Sequence, residues 1–148
     1  MSDGAPWLCD DRFDLKRFID AQDPVIGDVR AELAAGRKAS HWMWFVFPQI
    51  AGLGTSPMAR RYAITSLDEA RAYLCHPVLG PRLRAGVEVV NGLRGASAQS
   101  VFGSPDDMKF RSSLTLFTAA APEEPVFRHA LLKYFDGQED PLTLEKLG

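Results

Sequence analysis

Cysteine is nearly absent. The chain of 148 residues has two, Cys9 and Cys75, and they lack both metal-ligand spacing and a disulfide framework pattern. So few thiols exclude a disulfide-stapled fold and make a reduced, cytoplasmic protein the expectation. A basic surplus is missing too. Lys and Arg number 17 against 19 Asp and Glu, a net charge of −2, which argues against a general nucleic-acid or anionic-membrane binder. The longest apolar stretch, from His41 to Phe47, is far short of the ~20 residues a membrane helix needs. The opening Met1-Ser2-Asp3-Gly4-Ala5-Pro6-Trp7 lacks the basic and apolar regions of a secretory signal. Neither GxxxxGK[ST] nor GxGxxG occurs, HExxH is absent, and the three histidines share no close spacing. No metal and no cofactor are expected.

What remains is an ordinary globular composition, 46% hydrophobic and 24% charged. A chain of this length suits one domain with its own core. Residues 1–12 read as a flexible tail and 13–148 as a single domain. Apolar residues recur at helical spacing: Leu15, Phe18 and Ile19; Ile26, Val29 and Leu33; Leu79, Leu83, Val87 and Val90; Phe127, Leu131, Leu132 and Phe135. Asp14, Asp23-Pro24, Ser66-Leu67-Asp68-Glu69 and Ser104-Pro105-Asp106-Asp107 supply start signals, the last being the strongest. Asp140-Pro141 opens a final turn with Leu142, Leu144 and Leu147. No segment sustains strand alternation. The expectation is an all-α, compact single-domain bundle of about six to eight short helices around an aromatic core.

The densest stretch is Lys38-Ala39-Ser40-His41-Trp42-Met43-Trp44-Phe45-Val46-Phe47-Pro48-Gln49. It sets a cation, a hydroxyl and an imidazole against large apolar residues, two of them tryptophans. Such a run must lie at the centre of the fold, so its polar groups reach a low-dielectric place. It fits a short helix from Ser40 to Pro48, or a strand apolar on both faces.

Longer strings carry a family likeness. Gly36-Arg37-Lys38-x-Ser40-His41-Trp42-Met43-Trp44-Phe45-Val46-Phe47-Pro48-Gln49, Gly52-Leu53-Gly54-x-Ser56, Phe102-Gly103-x-x-Asp106-Asp107-x-Lys109 and Ser112-Ser113-Leu114-Thr115-Leu116-Phe117 resemble the domain-of-unknown-function 1810 family. Asp14-Leu15-x-Arg17-Phe18 and His76-Pro77-Val78-Leu79-Gly80-x-Arg82-Leu83 fit as well, so the likeness runs from Phe13 to Leu147. The resemblance implies a single, mainly helical domain and no particular activity.

Candidate site residues come from the dense stretch and two others. His41 reads as a catalytic base or donor, since imidazole suits proton transfer near neutrality. The alternative is a half-buried histidine bonded to backbone. On a helix Trp42 and Trp44 diverge by about 200°, so one can fill the core while the other offers a stacking face. Asp107, Lys109 and Ser112 gather at the start of one helix, with Asp107 the second candidate catalytic group and Lys109 and Ser112 binding a ligand. Helix capping explains the carboxylates equally well. Lys38 and Arg60 supply further cations, and Gln49 a carboxamide. Together these residues point to a small-molecule pocket where the 41–49 block meets the Gly52–Arg61 loop and the Asp107–Ser113 helix. Hydrolysis, transfer or plain binding of a phosphate- or nucleotide-containing metabolite would suit it. A non-enzymatic protein-interaction or dimerisation domain is the other reading, and monomer and homodimer both remain open.

Overall fold

Of the fifteen residues in Asp106–Ala120, nine are buried, on every side of the helix. A helix without a solvent face must stand at the centre of its bundle. The computed structural model describes residues 12–148 and contains ten helices among them. In chain order these are α1 (Lys16–Gln22), α2 (Ile26–Ala34), α3 (Met43–Val46), α4 (Pro57–Arg61), α5 (Leu67–Cys75), α6 (Leu79–Asn91), α7 (Ala98–Phe102), α8 (Asp106–Ala120), α9 (Pro125–Phe135) and α10 (Pro141–Leu147). Four of them, α5, α7, α9 and α10, pack on α8; α2, α5 and α9 also pack on α6, and α1 packs on α3. Cys9, Trp7 and the expected tail lie outside the described residues, except for Arg12.

The all-α expectation holds, although the helices outnumber the six to eight foreseen. Half of the ten have seven residues or fewer. Helices that short are unstable alone; four of the five bury at least one residue, and Pro57–Arg61, which buries none, is capped by Ser56. The aromatic stretch forms a single turn, Met43–Val46, and not a strand. Beyond Pro48, Ile50 makes an isolated parallel bridge to Ile64. The core is aromatic, with Phe18, Phe47, Phe110, Phe117, Phe127, Trp42 and Tyr73 all fully enclosed. Edge-to-face pairs such as Phe47–Phe110 (5.1 Å between centroids) and Phe18–Tyr73 (5.1 Å) lock their relative orientation.

Start signals succeed where the hydroxyl is free to cap. Ser66 accepts from the Glu69 N–H at 3.1 Å, and Ser97 and Ser100 form a reciprocal box. They fail where the side chain is engaged elsewhere or the backbone starts the helix at another residue. Asp14 adopts the left-handed region (φ 53°) and caps nothing. Asp23 pairs with Arg82, and Ser40 donates to Glu32. Ser104 is exposed, and α8 starts instead at Asp106, where the Asp107 N–H reaches the Gly103 carbonyl at 2.8 Å. Leu132, assigned to a core stripe, is 56% exposed because its helix lies at the edge of the bundle.

Candidate functional site

The residues that precede α3 are organised by a side chain the sequence patterns did not single out. Glu32, on α2, reaches the loop 39–42. Its Oε1 accepts from the Ala39 N–H (2.7 Å), the Ser40 N–H (3.0 Å) and the Trp42 indole N–H (2.9 Å), while Oε2 accepts from the Ser40 hydroxyl (2.5 Å). Burial alone would raise this carboxyl's pKa, but the four donors outweigh it and lower the value from 4.5 to about 2. Ser40 and the Trp42 N–H are thereby consumed in holding the loop. Trp42 itself is wholly buried.

Trp44 diverges from Trp42 as helical geometry requires. It is half-buried and forms a wall of an open cleft of about 460 Å³, facing Gln49, Leu53, Ser56, Lys109 and Ser112. A smaller hollow of about 160 Å³ shares Trp44, Gln49 and Leu53 and extends to Arg60 and Tyr62. Helix α8 thus furnishes one side of the cleft, the turn after α3 its base, and the Gly52–Ser56 loop its other side. At Gly54 the absence of a side chain is required, since a Cβ there would stand 2.7 Å from that of Ala59.

Electrostatics at the rim are uneven. Asp106 accepts from Lys38 at 2.9 Å and from Lys109 at 3.3 Å. The Lys38 side chain is only 8% exposed and takes the shorter contact, and the Lys38 backbone N–H donates to the Val101 carbonyl at 2.7 Å. Lys109 keeps the longer one, and its ammonium lies 5.0 Å from the Trp44 ring centroid. Two cations share the Asp106 carboxylate, so the Lys109 ammonium, the one that lines the cleft, is only partly answered by it. Arg60 is exposed and has no ion-pair partner among the described residues.

Of the residues singled out from sequence, Trp44, Gln49, Lys109 and Ser112 meet in the larger cleft and Arg60 lines the smaller. Lys38 stands behind them as the partner of Asp106. Trp42 belongs to the core. His41 is exposed and lines neither hollow, because the chain turns its two neighbours inward toward Glu32 and leaves the imidazole on the outside. Asp107 also lies off both linings, with its Oδ1 accepting from the Met108 N–H at 2.9 Å.

The cleft also holds Asp140, whose sequence context, Asp140-Pro141, marks only a helix start. Its Oδ2 accepts from Ser112 Oγ (2.9 Å), Thr143 Oγ1 (2.6 Å) and the Thr143 N–H (3.2 Å). That carboxylate ties α10 to α8 and answers why serine occupies position 112 inside a helix. The signal was present in Asp140-Pro141-x-Thr143, but its long-range partner was not.

With this geometry in place, a match to the family model described as "Protein of unknown function (DUF1810)" covers residues 12–147. The chain belongs to the DUF1810 family. Among solved structures, the conserved hypothetical protein Rv1873 from Mycobacterium tuberculosis is 54% identical, with a TM-score of 0.91 over 93% of this chain and 98% of that one. No curated protein matches the chain. The DUF1810 fold is therefore shared closely by the mycobacterial protein, and neither name carries an activity. No helix among the described residues is long and apolar enough to cross a membrane. No group of three or more His, Cys, Asp or Glu among them could hold a metal ion.

Proposed function

We propose that this protein is a cytoplasmic binder of a small metabolite that joins an aromatic ring to a phosphate or similar anion, held in the Trp44 cleft. The observation that carries the reading is the Lys109 ammonium poised over the Trp44 ring at a cleft lined by Gln49 and Ser112. An indole face stacks on a heterocycle, a carboxamide reads its hydrogen-bonding edge, and an ammonium meets the anion. The Lys109–Asp106 contact is the longer of the two that Asp106 makes, so Asp106 keeps Lys38 at 2.9 Å when Lys109 turns to a ligand oxygen. Cleft size also agrees, since ligand sites run from about 300 to 1,000 Å³. Cys75, a free and exposed thiol, suits a reducing compartment. With His41 and Asp107 off the cleft lining, the reading is one of binding, and no proton-transfer step is assigned.

A thermal-shift and calorimetric screen with adenosine monophosphate, ribose 5-phosphate and inorganic phosphate tests it. Adenosine monophosphate at about 100 times its Kd should add about 2.7 kcal/mol of stability. Lys109→Met and Trp44→Leu should each weaken it at least tenfold. Equal binding by wild type and both variants would remove the cleft from consideration.

A further inference from the structure

A second hollow lies on the opposite arrangement of helices, between α2 and α6, and shares no lining residue with the Trp44 cleft. It encloses about 320 Å³. Its walls are apolar: Ile26, Val29 and Leu33 from α2, Val46 from α3, and Val89 from α6. Its rim carries two arginines, Arg30 and Arg82. They differ in what holds them. Arg82 donates to Asp23 at 2.8 Å and to the buried Gln22 carboxamide oxygen at 3.3 Å, so its charge is answered. The Arg30 side chain has no hydrogen-bond or ion-pair partner among the described residues. One uncompensated cation therefore stands beside a cavity that offers almost nothing else to hydrogen-bond.

The floor adds an independent observation. Gly86 lies within the thirteen-residue helix α6 and lines the hollow. A Cβ at that position would meet Phe47 Cζ at 3.4 Å and Leu33 Cδ1 at 3.5 Å, ordinary van der Waals contact. Alanine would thus fit, and glycine inside a helix costs about 1 kcal/mol relative to it. Packing does not require the glycine. Its effect is to keep the floor of the hollow one methyl deeper.

An apolar cavity with a single unmatched cation at its mouth selects a ligand of complementary form, with an apolar body and one negative charge. We infer that the α2–α6 hollow binds a medium-chain aliphatic carboxylate, its chain along Val29, Leu33 and Val89 over Gly86 and its head on Arg30. The volume admits one short chain and not the row of side chains a partner helix would insert. The apolar walls supply affinity through burial, and the guanidinium supplies the sign selectivity.

Calorimetric titration with octanoate, 1-octanol and octyltrimethylammonium tests the inference. Saturable binding of octanoate at one site is expected, with octanol weaker and the ammonium compound not bound. Arg30→Gln changes only an exposed side chain and should weaken octanoate at least fivefold while leaving octanol unchanged. Gly86→Ala should raise the melting temperature of the free protein and weaken octanoate. The inference is overturned if octanoate does not saturate, if both variants bind it as wild type does, or if the ammonium compound binds equally. A dimer in light scattering that Val89→Arg dissolves would give the hollow to a second copy of the chain and overturn it as well.

Discussion

At the scale of single residues, Glu32 decides how the loop before α3 is held. Four donors converge on its carboxylate, three of them from Ser40 and Trp42. Glu32→Gln keeps the shape but loses the charge, and should cost about 1–3 kcal/mol at pH 7 in urea denaturation. The sign with pH follows from the lowered pKa. Its contribution is complete above the ordinary value of 4.5 and is lost as pH falls toward about 2. The stability gap between wild type and Glu32→Gln should therefore close on acidification across that window; a gap constant down to pH 3 would assign the effect to packing. Little of this was legible. Ser40 and Trp42 announced that polar groups would be carried inward, whereas Glu32, between Ala31 and Leu33 on a half-exposed helix, looks like any solvent-facing acid. His41 reads as a site residue because its neighbours are apolar, yet the inward turn of those neighbours is what places it outside.

Among the elements, the join of α5 to α6 shows why a motif can be legible while its reason is not. His76-Pro77-Val78-Leu79-Gly80 stands out as a helix break followed by a restart. In the structure His76 Nδ1 accepts from the Val78 N–H (3.0 Å) and the Leu79 N–H (3.3 Å), capping α6 from within the turn. Gly80 lets α6 pass against the end of α5, since a Cβ there would lie 2.1 Å from the Leu74 carbonyl oxygen. Arg84 completes the join by donating to that same oxygen at 3.0 Å and gripping Glu124 through two contacts of 2.6 and 2.8 Å. Gly80→Ala should thus destabilise by about 3 kcal/mol or more, because backbone must move to admit it. Equilibrium unfolding checks the value, and a loss under about 1 kcal/mol would contradict so close a contact. Helical periodicity located α1, α2, α6 and α9 because each carries its stripe within its own residues. Asp23 and Ser40 do not cap because Arg82 and Glu32 stand opposite them in space, whereas Asp14 takes a left-handed backbone and Ser104 is exposed.

For the molecule as a whole, two features tie separate helices together and a third is an open cleft. The guanidinium of Arg17 donates to Glu69 at 3.0 Å and to the carbonyls of Arg61 (2.8 Å) and Ala63 (2.9 Å), binding α1 to the loop before α5. Such a buried pair is costly to break because each partner strands the other. Asp140 performs the same service between α8 and α10. The third feature, the cleft at Trp44, was legible as a meeting of three stretches because aromatic, glycine-rich and lysine-bearing segments stood out separately. Which polar residues would face it was not, since that depends on the rotation of α3 and α8 about their axes.

The chain has three tryptophans, and of the two described, Trp42 is sealed in the core while Trp44 borders the cleft. Tryptophan fluorescence during titration with adenosine monophosphate therefore reads the cleft itself. Saturable quenching that is retained in Trp7→Phe and abolished in Trp44→Phe is the expected result; quenching that survives intact in Trp44→Phe would contradict it.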